Sequence, residues 1–194
     1  MSLARKYTKH YSFEEYLKLE EASKIRNEFH DGIIIPVEAT TKNHNTIVTN
    51  FLLNANIPQL RKNGCRLYHE NVITKVDAPK KKGVYPDIVV TCNEEDRKDV
   101  LVVKHPILIV EVLSNSTAKY DKTGKFFKYQ RIPSLKQYIL ISQYACAVEF
   151  YKKMENGQWV YSALSQLDDI LSIPCIDAQI PLSELYVDIN FEDL

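Results

Sequence analysis

The sequence lacks any apolar run of the roughly 20 residues that a membrane-spanning helix requires, which argues against a membrane protein. Its N-terminal stretch, MSLARKYTKHYSFEEY, has no apolar segment behind its basic residues and so does not read as a signal peptide. It also contains no internal repeat, low-complexity segment or Pro/Gly/Ser-rich linker. We therefore expect a cytoplasmic protein in which residues 1–194 form a single domain, large enough to bury a hydrophobic core.

Neither sign of charge is in excess, because 25 Lys and Arg residues balance 25 Asp and Glu residues. A neutral protein has no general attraction to nucleic acid, so binding to DNA would need a local basic patch. The cysteines form no C-x-x-C pair, which argues against a zinc site and a disulfide framework. We expect all four to be thiols in a reducing compartment: Cys65, Cys92, Cys146 and Cys175.

The hydrophobic pattern predicts short helices and strands in alternation. Ser12 is a candidate N-cap for a first helix, and Asp31-Gly32 is typical of a β-hairpin turn. Another helix is expected roughly from Lys119 to Arg131. The strand-like segments are CRLYHENVITKV, VYPDIVV, ILIVEVL, KQYILIS, AVEFYKK and WVYSALS. This order favours an α/β (α+β mixed) fold, with a mixed β-sheet core flanked by helices and preceded by an N-terminal helix and β-hairpin. It does not fit a doubly wound parallel fold.

Glu111 stands in the middle of the most hydrophobic segment, the predicted strand 107–113. That strand is apolar on both of its faces, as is usual for a central strand of a sheet. An unpaired carboxylate in such a strand would cost several kcal/mol or take up a proton. Glu111 therefore needs a partner.

Asp87, in the preceding strand-like segment YPDIVV, is a candidate partner. If the two strands pair in antiparallel fashion, Asp87 falls opposite or nearly opposite Glu111, where side chains lie about 5 Å apart. A divalent cation relieves the repulsion between two carboxylates, and oxygen ligands at about 2.0–2.6 Å suit Mg²⁺, Mn²⁺ or Ca²⁺. The alternatives are that one carboxylate is protonated, or that each pairs with a Lys or Arg.

Lys125 lies four residues after Asp121 and four before Tyr129, so the three share one face of the predicted helix. In one interpretation Asp121 and Lys125 form a solvated ion pair worth a few tenths of a kcal/mol. In the other, Lys125 points back at the carboxylates, where its ammonium could orient an attacking water or stabilise charge on a phosphate.

The order of these motifs resembles the Uma-type family of restriction-endonuclease-like proteins, within the PD-(D/E)XK nuclease superfamily. The matching pieces are YPDIVV, PILIVEVLSNST, D-x-x-x-K-x-x-x-Y and QYILI, and NEFHDG resembles the family's Y-E-L-x-x-G hairpin. The resemblance spans roughly residues 13–186. It implies a restriction-endonuclease-like core in which Asp87, Glu111 and the backbone carbonyl of Val112 bind Mg²⁺ or Mn²⁺. It also places Glu28 and His44 near the site, although alone they would be read as an exposed hairpin residue and a capping or packing histidine.

The chain also departs from the superfamily pattern. The usual lysine position, two residues after the glutamate, is Leu113 here, whereas the Uma-type pattern moves the lysine to the following helix, where Lys125 matches. Gln137 stands where the family commonly has an acidic residue, and Ser142 where it has an aspartate. These two changes put substrate binding or dimer contacts in doubt more than metal binding.

A local basic rim could bind DNA despite the zero net charge, or it could be no more than a solvated lysine-rich surface. Its members would be Lys80, Lys81, Lys82, Lys119, Lys122, Lys128 and Arg131. We assign substrate binding to Lys80, Lys81, Lys82, Lys122 and Tyr129. The sequence contains 12 tyrosines but shows no aromatic ladder that would indicate stacking of single-stranded nucleic acid.

The resemblance and the opposed carboxylates lead to one main hypothesis: a Mg²⁺-dependent endonuclease that hydrolyses DNA, with Asp87, Glu111 and Lys125 at its core and Glu28 and His44 nearby. A homodimer is expected by analogy with the superfamily. An alternative is a catalytically silent nuclease fold that serves as a nucleic-acid-binding or interaction module. A weaker alternative is a metal-dependent hydrolase of a small phosphorylated molecule.

Overall fold

A computed structural model of the chain describes residues 10–23, 26–30, 32–36, 40–70, 72–77, 81–114, 118 and 121–192. The strands are β1 (Asn27–His30), β2 (Ile33–Pro36), β3 (Arg66–His69), β4 (Ile73–Asp77), β5 (Lys81–Val84), β6 (Ile88–Thr91), β7 (Val102–Val103), β8 (Pro106–Leu113), β9 (Gln137–Ser142), β10 (Val148–Lys153), β11 (Trp159–Leu164), β12 (Ile170–Ile173) and β13 (Ala178–Pro181). The α-helices are α1 (Phe13–Ala22), α2 (Lys42–Asn54), α3 (Ile57–Lys62), α4 (Glu94–Lys98), α5 (Phe126–Tyr129) and α6 (Leu182–Leu185). A π-helical turn covers Asp121–Lys125, and a 3₁₀ turn covers Pro174–Ile176.

The central sheet has the strand order β11-β10-β9-β8-β6-β3 and is mixed, because β8 pairs in parallel with β9 and antiparallel with β6. Strand β8 lies inside this sheet and is buried on both faces: Leu108, Ile109 and Val110 have no exposed surface. Both predictions for this segment, a central position and burial on both sides, are confirmed. The mixed α/β architecture agrees with the fold class expected from the sequence.

Each face of the central sheet is covered by a different layer. On one face, α2 and the β12–β13 hairpin form a hydrophobic core with the even-numbered side chains of β8. On the other face, α5 and its preceding π-helical turn cover Ile109 and Leu113. Fully burying a Leu, Ile or Phe side chain stabilises the fold by about 1.5–3 kcal/mol, so both layers contribute substantially. None of the helices in the described part of the chain is long and apolar enough to cross a membrane.

The N-terminal helix and hairpin form as predicted. Ser12 caps α1, and Glu15 completes a capping box, since the Ser12 hydroxyl accepts from Glu15 N at 3.1 Å and the Glu15 carboxylate accepts from Ser12 N at 2.6 Å. Strands β1 and β2 pair through a turn in which Gly32 adopts a φ of 90°, a conformation that glycine adopts readily. The hairpin belongs to a second sheet of order β2-β1-β5-β4-β7, and Asp31 lies outside the described residues.

Two predicted elements differ from the structure. The segment CRLYHENVITKV is not one strand: β3 joins the central sheet and β4 joins the second sheet, with Glu70 at a φ of 43° between them. The helix predicted roughly over Lys119 to Arg131 is a π-helical turn, which contains Gly124, followed by the short helix α5. Glycine disfavours a regular helix at this point.

The expectation of four free thiols is wrong for one pair. Cys65 and Cys92 form a disulfide, whereas Cys146 and Cys175 are free. The two bonded residues each lie one step beyond the Arg66↔Thr91 pair of the β3–β6 ladder, so they face each other across adjacent strands. Their separation of 27 residues in the sequence concealed this proximity.

Candidate active site

Asp87 and Glu111 meet at the ends of two antiparallel strands. The β6–β8 ladder pairs Ile88 with Val110, so the next step places Asp87 opposite Glu111, as predicted. One carboxylate oxygen of Asp87, Oδ2, accepts a hydrogen bond from the backbone N–H of Val112 at 2.6 Å. The Asp87 side chain is therefore anchored to the strand that carries Glu111.

The Val112 carbonyl faces the same edge of β8 as Asp87. The N–H and C=O groups of one residue in a strand point to the same edge, and the Val112 N–H already binds Asp87. The ladder register places Pro86 opposite Val112, and proline has no N–H with which to occupy that carbonyl. The end of β6 thus leaves a backbone oxygen beside two carboxylates.

Lys125 reaches this pair from the π-helical turn on the neighbouring layer. Its Nζ lies 3.1 Å from Glu111 Oε1, 3.0 Å from Asp121 Oδ1 and 3.7 Å from Glu28 Oε1. Only 5% of the Lys125 surface is exposed, so these contacts are not a solvated surface pair. The interpretation in which Lys125 points toward the carboxylates is the one that the geometry supports.

Tyr129 holds the other side of Glu111. Its hydroxyl donates to Glu111 Oε1 at 2.9 Å, and the side chain has no exposed surface. Burial raises the pKa of Tyr129 well above its ordinary value, and the nearby Glu111 and Glu28 act in the same direction, so the phenol remains a hydrogen-bond donor. This placement corrects our assignment of Tyr129 to substrate binding, because a ring with no exposed surface positions Glu111 and cannot contact DNA.

Glu28 approaches from β1, as the family resemblance implies. Its carboxylate lies 2.7 Å from His30 Nε2 and accepts from Tyr85 N at 3.3 Å, in addition to its contact with Lys125. Burial acts to raise the pKa of Glu28, but Lys125, His30 and the Tyr85 N–H together lower it to about 2. Glu28 is therefore a fixed anion beside the lysine.

His44 joins the site from the first turn of α2. Its Nε2 lies 3.2 Å from Asp87 Oδ1, and its backbone N–H donates to the hydroxyl of Thr41, the N-cap residue, at 3.1 Å. His44 is 4% exposed, and among the described residues its Nδ1 has no hydrogen-bond partner. The histidine is thus a neighbour of the carboxylate pair and not a helix cap in its own right.

The buried carboxylates outnumber the cations around them. Glu111, Glu28 and Asp121 surround the ammonium of Lys125, and Asp87 adds a fourth carboxylate opposite Glu111. Burial raises the pKa of Glu111 well above its ordinary value, with Asp121, Asp87 and Glu28 adding to the effect and Lys125 opposing it. Burial acts to lower the pKa of Lys125, but Glu111, Glu28 and Asp121 raise it well above its usual value. The site is therefore built to accept additional positive charge.

The donor atoms suit a hard divalent cation. Asp87 and Glu111 offer carboxylate oxygens and Val112 offers a carbonyl oxygen, which are the ligand types of Mg²⁺ and Mn²⁺. Among the described residues, no three His, Cys, Asp or Glu side chains are grouped closely enough to hold a metal by themselves. A cation here would therefore depend on the backbone carbonyl and on water for its remaining ligands.

Of the predicted basic rim, the described side chains are those of Lys122, Lys128 and Arg131. Lys122 is paired with Glu149, and the Arg131 guanidinium stacks over the Phe127 ring at 4.6 Å. Lys128 Nζ lies 3.4 Å from His30 Nδ1 and so belongs to the surroundings of Glu28. Outside the described residues are Lys80, Lys119 and the side chains of Lys81 and Lys82.

Two residues that sequence reasoning missed support the site. His30 binds Glu28 from the same strand, a spacing of two residues that the alternation of a strand could have indicated. Gln143 is 1% exposed, donates to Leu113 O at 2.8 Å and accepts from the Thr41 hydroxyl. It therefore ties the end of β8 to the N-cap of the helix that carries His44, a link between distant segments that has no local sequence signal.

Comparisons with known proteins show what the chain is similar to. Residues 13–183 match the model of the Uma2 family, described as "Putative restriction endonuclease". The "Uncharacterized protein slr1290" of Synechocystis sp. is 33% identical over 158 residues, which is 80% of this chain and 82% of that protein. A second Synechocystis relative, "Uncharacterized protein sll1609", is 37% identical over 157 residues, which is 77% of this chain and 85% of that protein.

A solved structure shares the fold. The crystal structure of a "putative nuclease belonging to DUF820" from Anabaena variabilis superimposes with a TM-score of 0.74, covering 91% of this chain and 97% of that chain. Its sequence identity to this chain is 17%, so the likeness shows the fold alone.

Proposed function

The chain belongs to the Uma2 family, and on that premise we propose that it is a metal-dependent endonuclease that hydrolyses DNA phosphodiester bonds. The observation that carries the proposal is the meeting of Asp87 with Glu111 at the ends of β6 and β8, with the Lys125 ammonium 3.1 Å from Glu111. Paired carboxylates and a lysine are the groups that metal-assisted phosphodiester hydrolysis requires.

Asp87, Glu111 and the Val112 carbonyl would hold Mg²⁺ or Mn²⁺. The excess of buried carboxylates over ammonium groups supports this assignment, because a divalent cation offsets charge that is otherwise costly to bury. When bound, the metal polarises a water molecule and neutralises charge on the phosphate. His44, at 3.2 Å from Asp87 Oδ1, would orient that carboxylate.

Lys125 would assist the reaction by orienting the attacking water or by stabilising charge on the phosphate. Glu28 and Asp121 hold its ammonium from two other sides, at 3.7 and 3.0 Å. His30 and the Tyr85 N–H fix Glu28 in turn, so the lysine is positioned before any substrate arrives. Tyr129 keeps Glu111 in a single orientation.

A catalytically silent binding module is the second candidate. Glu111 Oε1 is already engaged by both Lys125 and Tyr129, and the chain has no net charge to attract DNA. In that case the carboxylates and the lysine would serve only to hold the layers together. A homodimer stays a prediction under either candidate.

Calorimetric titration of Mn²⁺ and a cleavage assay on duplex DNA test the proposal together. We expect Asp87→Ala to abolish Mn²⁺ binding and Glu111→Gln to abolish Mg²⁺-dependent cleavage. Glu94→Gln is the matched control, since its side chain is 78% exposed on α4 and should change neither measurement. Binding in Asp87→Ala equal to that in the wild type would refute the ligand assignment. DNA binding with no cleavage, under conditions in which Mn²⁺ binds, would favour the silent module.

A further inference from the structure

A buried glutamine lies at the end of the central sheet that carries the candidate active site. Gln143 directly follows β9 and is 1% exposed. The parallel β8–β9 ladder ends with Leu113 opposite Ser142, so Gln143 stands one step beyond the end of β8. Its Nε2 donates to Leu113 O at 2.8 Å. Because Glu111 and Val112 immediately precede Leu113, the Gln143 amide is bonded to the strand that would supply two of the three metal ligands.

The oxygen of the same amide is bonded to the helix that carries His44. Gln143 Oε1 accepts a hydrogen bond from the hydroxyl of Thr41, the N-cap residue of α2. The Thr41 hydroxyl oxygen in turn accepts from the backbone N–H of His44 at 3.1 Å. At the far side of this turn, His44 Nε2 lies 3.2 Å from Asp87 Oδ1. Hydrogen bonds therefore lead from the end of β8, through the first turn of α2, to Asp87.

The turn that carries Gln143 is itself held by several hydrogen bonds. The Ser142 N–H donates to Ala147 O at 2.9 Å, and the Ser142 hydroxyl accepts from Tyr144 N at 3.1 Å. The Tyr186 hydroxyl lies 3.1 Å from Ser142 O and 2.9 Å from Ala147 O. Gln143 therefore extends from a well-fixed backbone and can determine where the first turn of α2 lies.

A second buried amide, that of Asn50, fixes a different part of α2. Asn50 is 8% exposed and donates to Leu185 O at 3.1 Å and to Val187 O at 2.8 Å. These contacts join the later turns of the helix to α6 and its C-terminal end, away from the carboxylate pair. The chain thus offers two buried amides that hold the same helix, and that of Gln143 is the one bonded to the first turn.

We propose that Gln143 is a positioning residue of the candidate active site, which keeps His44 against Asp87 by holding the first turn of α2 to the end of β8. The inference rests on the proposed metal-dependent function and adds to it a residue that contacts neither metal nor substrate. Asp87 is held by the Val112 N–H on one carboxylate oxygen and contacts His44 with the other. Displacement of His44 would therefore leave the proposed ligand held on one side alone.

Calorimetric titration of Mn²⁺ into Gln143→Met tests this role. Methionine keeps an unbranched chain of similar length and removes both hydrogen-bonding groups. We expect binding to weaken about tenfold, the lower end of the range for residues that orient metal ligands. Asn50→Leu is the matched control, since it also removes a buried amide that holds α2 and should bind Mn²⁺ like the wild type. Thr41→Ser, which keeps the hydroxyl, should also bind like the wild type.

A double substitution shows whether Gln143 acts through His44. If it does, His44→Gln combined with Gln143→Met should bind Mn²⁺ no more weakly than His44→Gln alone, because the histidine that Gln143 positions is already absent. A general loosening of the fold would instead multiply the two fold-changes in affinity. The multiplied result would overturn the proposal.

The metal-free protein provides a readout that does not depend on metal binding. At pH 7, the ¹⁵N chemical shifts of the His44 ring report whether Nε2 is hydrogen-bonded to Asp87, and the chain has only five histidines to assign. We expect these shifts to change in Gln143→Met and to stay at their wild-type values in Asn50→Leu. Unchanged His44 shifts in Gln143→Met, or equal changes in both variants, would refute the positioning role.

Failure of this inference can be told apart from failure of the proposed function. A wild-type protein that binds no Mn²⁺, but whose His44 shifts change in Gln143→Met alone, would count against the proposed function and support the positioning of His44. Mn²⁺ binding and DNA cleavage that are the same in Gln143→Met as in the wild type would count against this inference alone.

Discussion

Replacing Lys125 by methionine tests whether one ammonium compensates the buried carboxylates. Methionine keeps an unbranched chain of similar length, so the change removes the charge and little of the volume. Glu111, Asp121 and Glu28 would each lose a contact of 3.0–3.7 Å and stay in a site that is closed to solvent on most sides. We expect the free energy of unfolding to fall.

Two lines of reasoning give a similar loss of unfolding free energy for Lys125→Met. Removing one member of a buried ion pair costs about 3–5 kcal/mol. For Glu28, the fall in pKa from 4.5 to about 2 corresponds to about 3 kcal/mol at 1.36 kcal/mol per pH unit, and Lys125 is the largest of the lowering influences. We therefore expect Lys125→Met to lose roughly 3 kcal/mol at pH 7, which a domain of ordinary stability survives in folded form.

The loss of unfolding free energy caused by Lys125→Met should be larger at neutral pH than in acid. Because the pKa of Glu28 is lower in the folded chain than in the unfolded chain, its contribution to stability is complete above about pH 4.5 and disappears as the pH falls toward 2. The difference between wild type and Lys125→Met should therefore be largest near neutral pH. It should shrink in acid, where the uncompensated carboxylates take up protons.

Urea unfolding at pH 7 and at acidic pH measures both effects. The control is Lys122→Met on the same π-helical turn, because the Lys122 side chain is 42% exposed and pairs with the half-buried Glu149. Exposed pairs of this kind contribute about 0.2–1 kcal/mol. If Lys125→Met were no less stable than Lys122→Met at pH 7, the reasoning about charge compensation would be wrong.

Three further predictions concern the cap of α2, the histidine beside Asp87 and the disulfide between β3 and β6. Thr41→Ala should lower thermal stability by about 1 kcal/mol, because it removes the N-cap of α2, and Thr41→Ser should restore most of the loss. His44→Gln should weaken Mn²⁺ binding in calorimetry by about 10- to 100-fold through loss of the contact with Asp87, and an unchanged affinity would show that the histidine plays no part. Reduction of the Cys65–Cys92 disulfide should lower the urea midpoint by an amount equivalent to about 3 kcal/mol, with Cys65→Ser as the reduction-insensitive reference.

Local patterns were enough to predict the central strand and its charge. Six apolar residues in the seven positions 107–113 indicated that this strand is buried on both faces, and the one glutamate among them indicated a site. The antiparallel partner followed from chain order, because Asp87 and Glu111 stand at matching distances from the loop between their strands. The capped helix α1 and the Gly32 hairpin were predictable for the same reason, since their signals lie within a few residues.

Contacts between segments that are far apart in the sequence could not be predicted from local patterns. Glu28 meets Lys125, and His30 meets Lys128, only because the hairpin of the second sheet packs against the π-helical turn and α5. The link from Gln143 to Thr41 joins residues 102 positions apart. The alignment of Tyr138, Tyr151 and Tyr161 on β9, β10 and β11 could not be found by a search along the chain, because these residues are neighbours across strands and not at any fixed spacing in the sequence.

The sequence by itself therefore determined most of the helices and strands, and it showed which strand carries a buried carboxylate that needs a positively charged partner. These features follow from helix and strand propensities, capping residues and hydrophobic patterns, which all depend on residues close together in the sequence. Only the tertiary structure decided which groups provide that compensation. Lys125 approaches from a π-helical turn where the pattern predicted a regular helix, Glu28 arrives from a hairpin of the second sheet, and the Cys65–Cys92 disulfide formed where two strand ends face each other. The order of the residues determines which side chains are present in each element. Which of these side chains come into contact depends on how the sheets and helices pack.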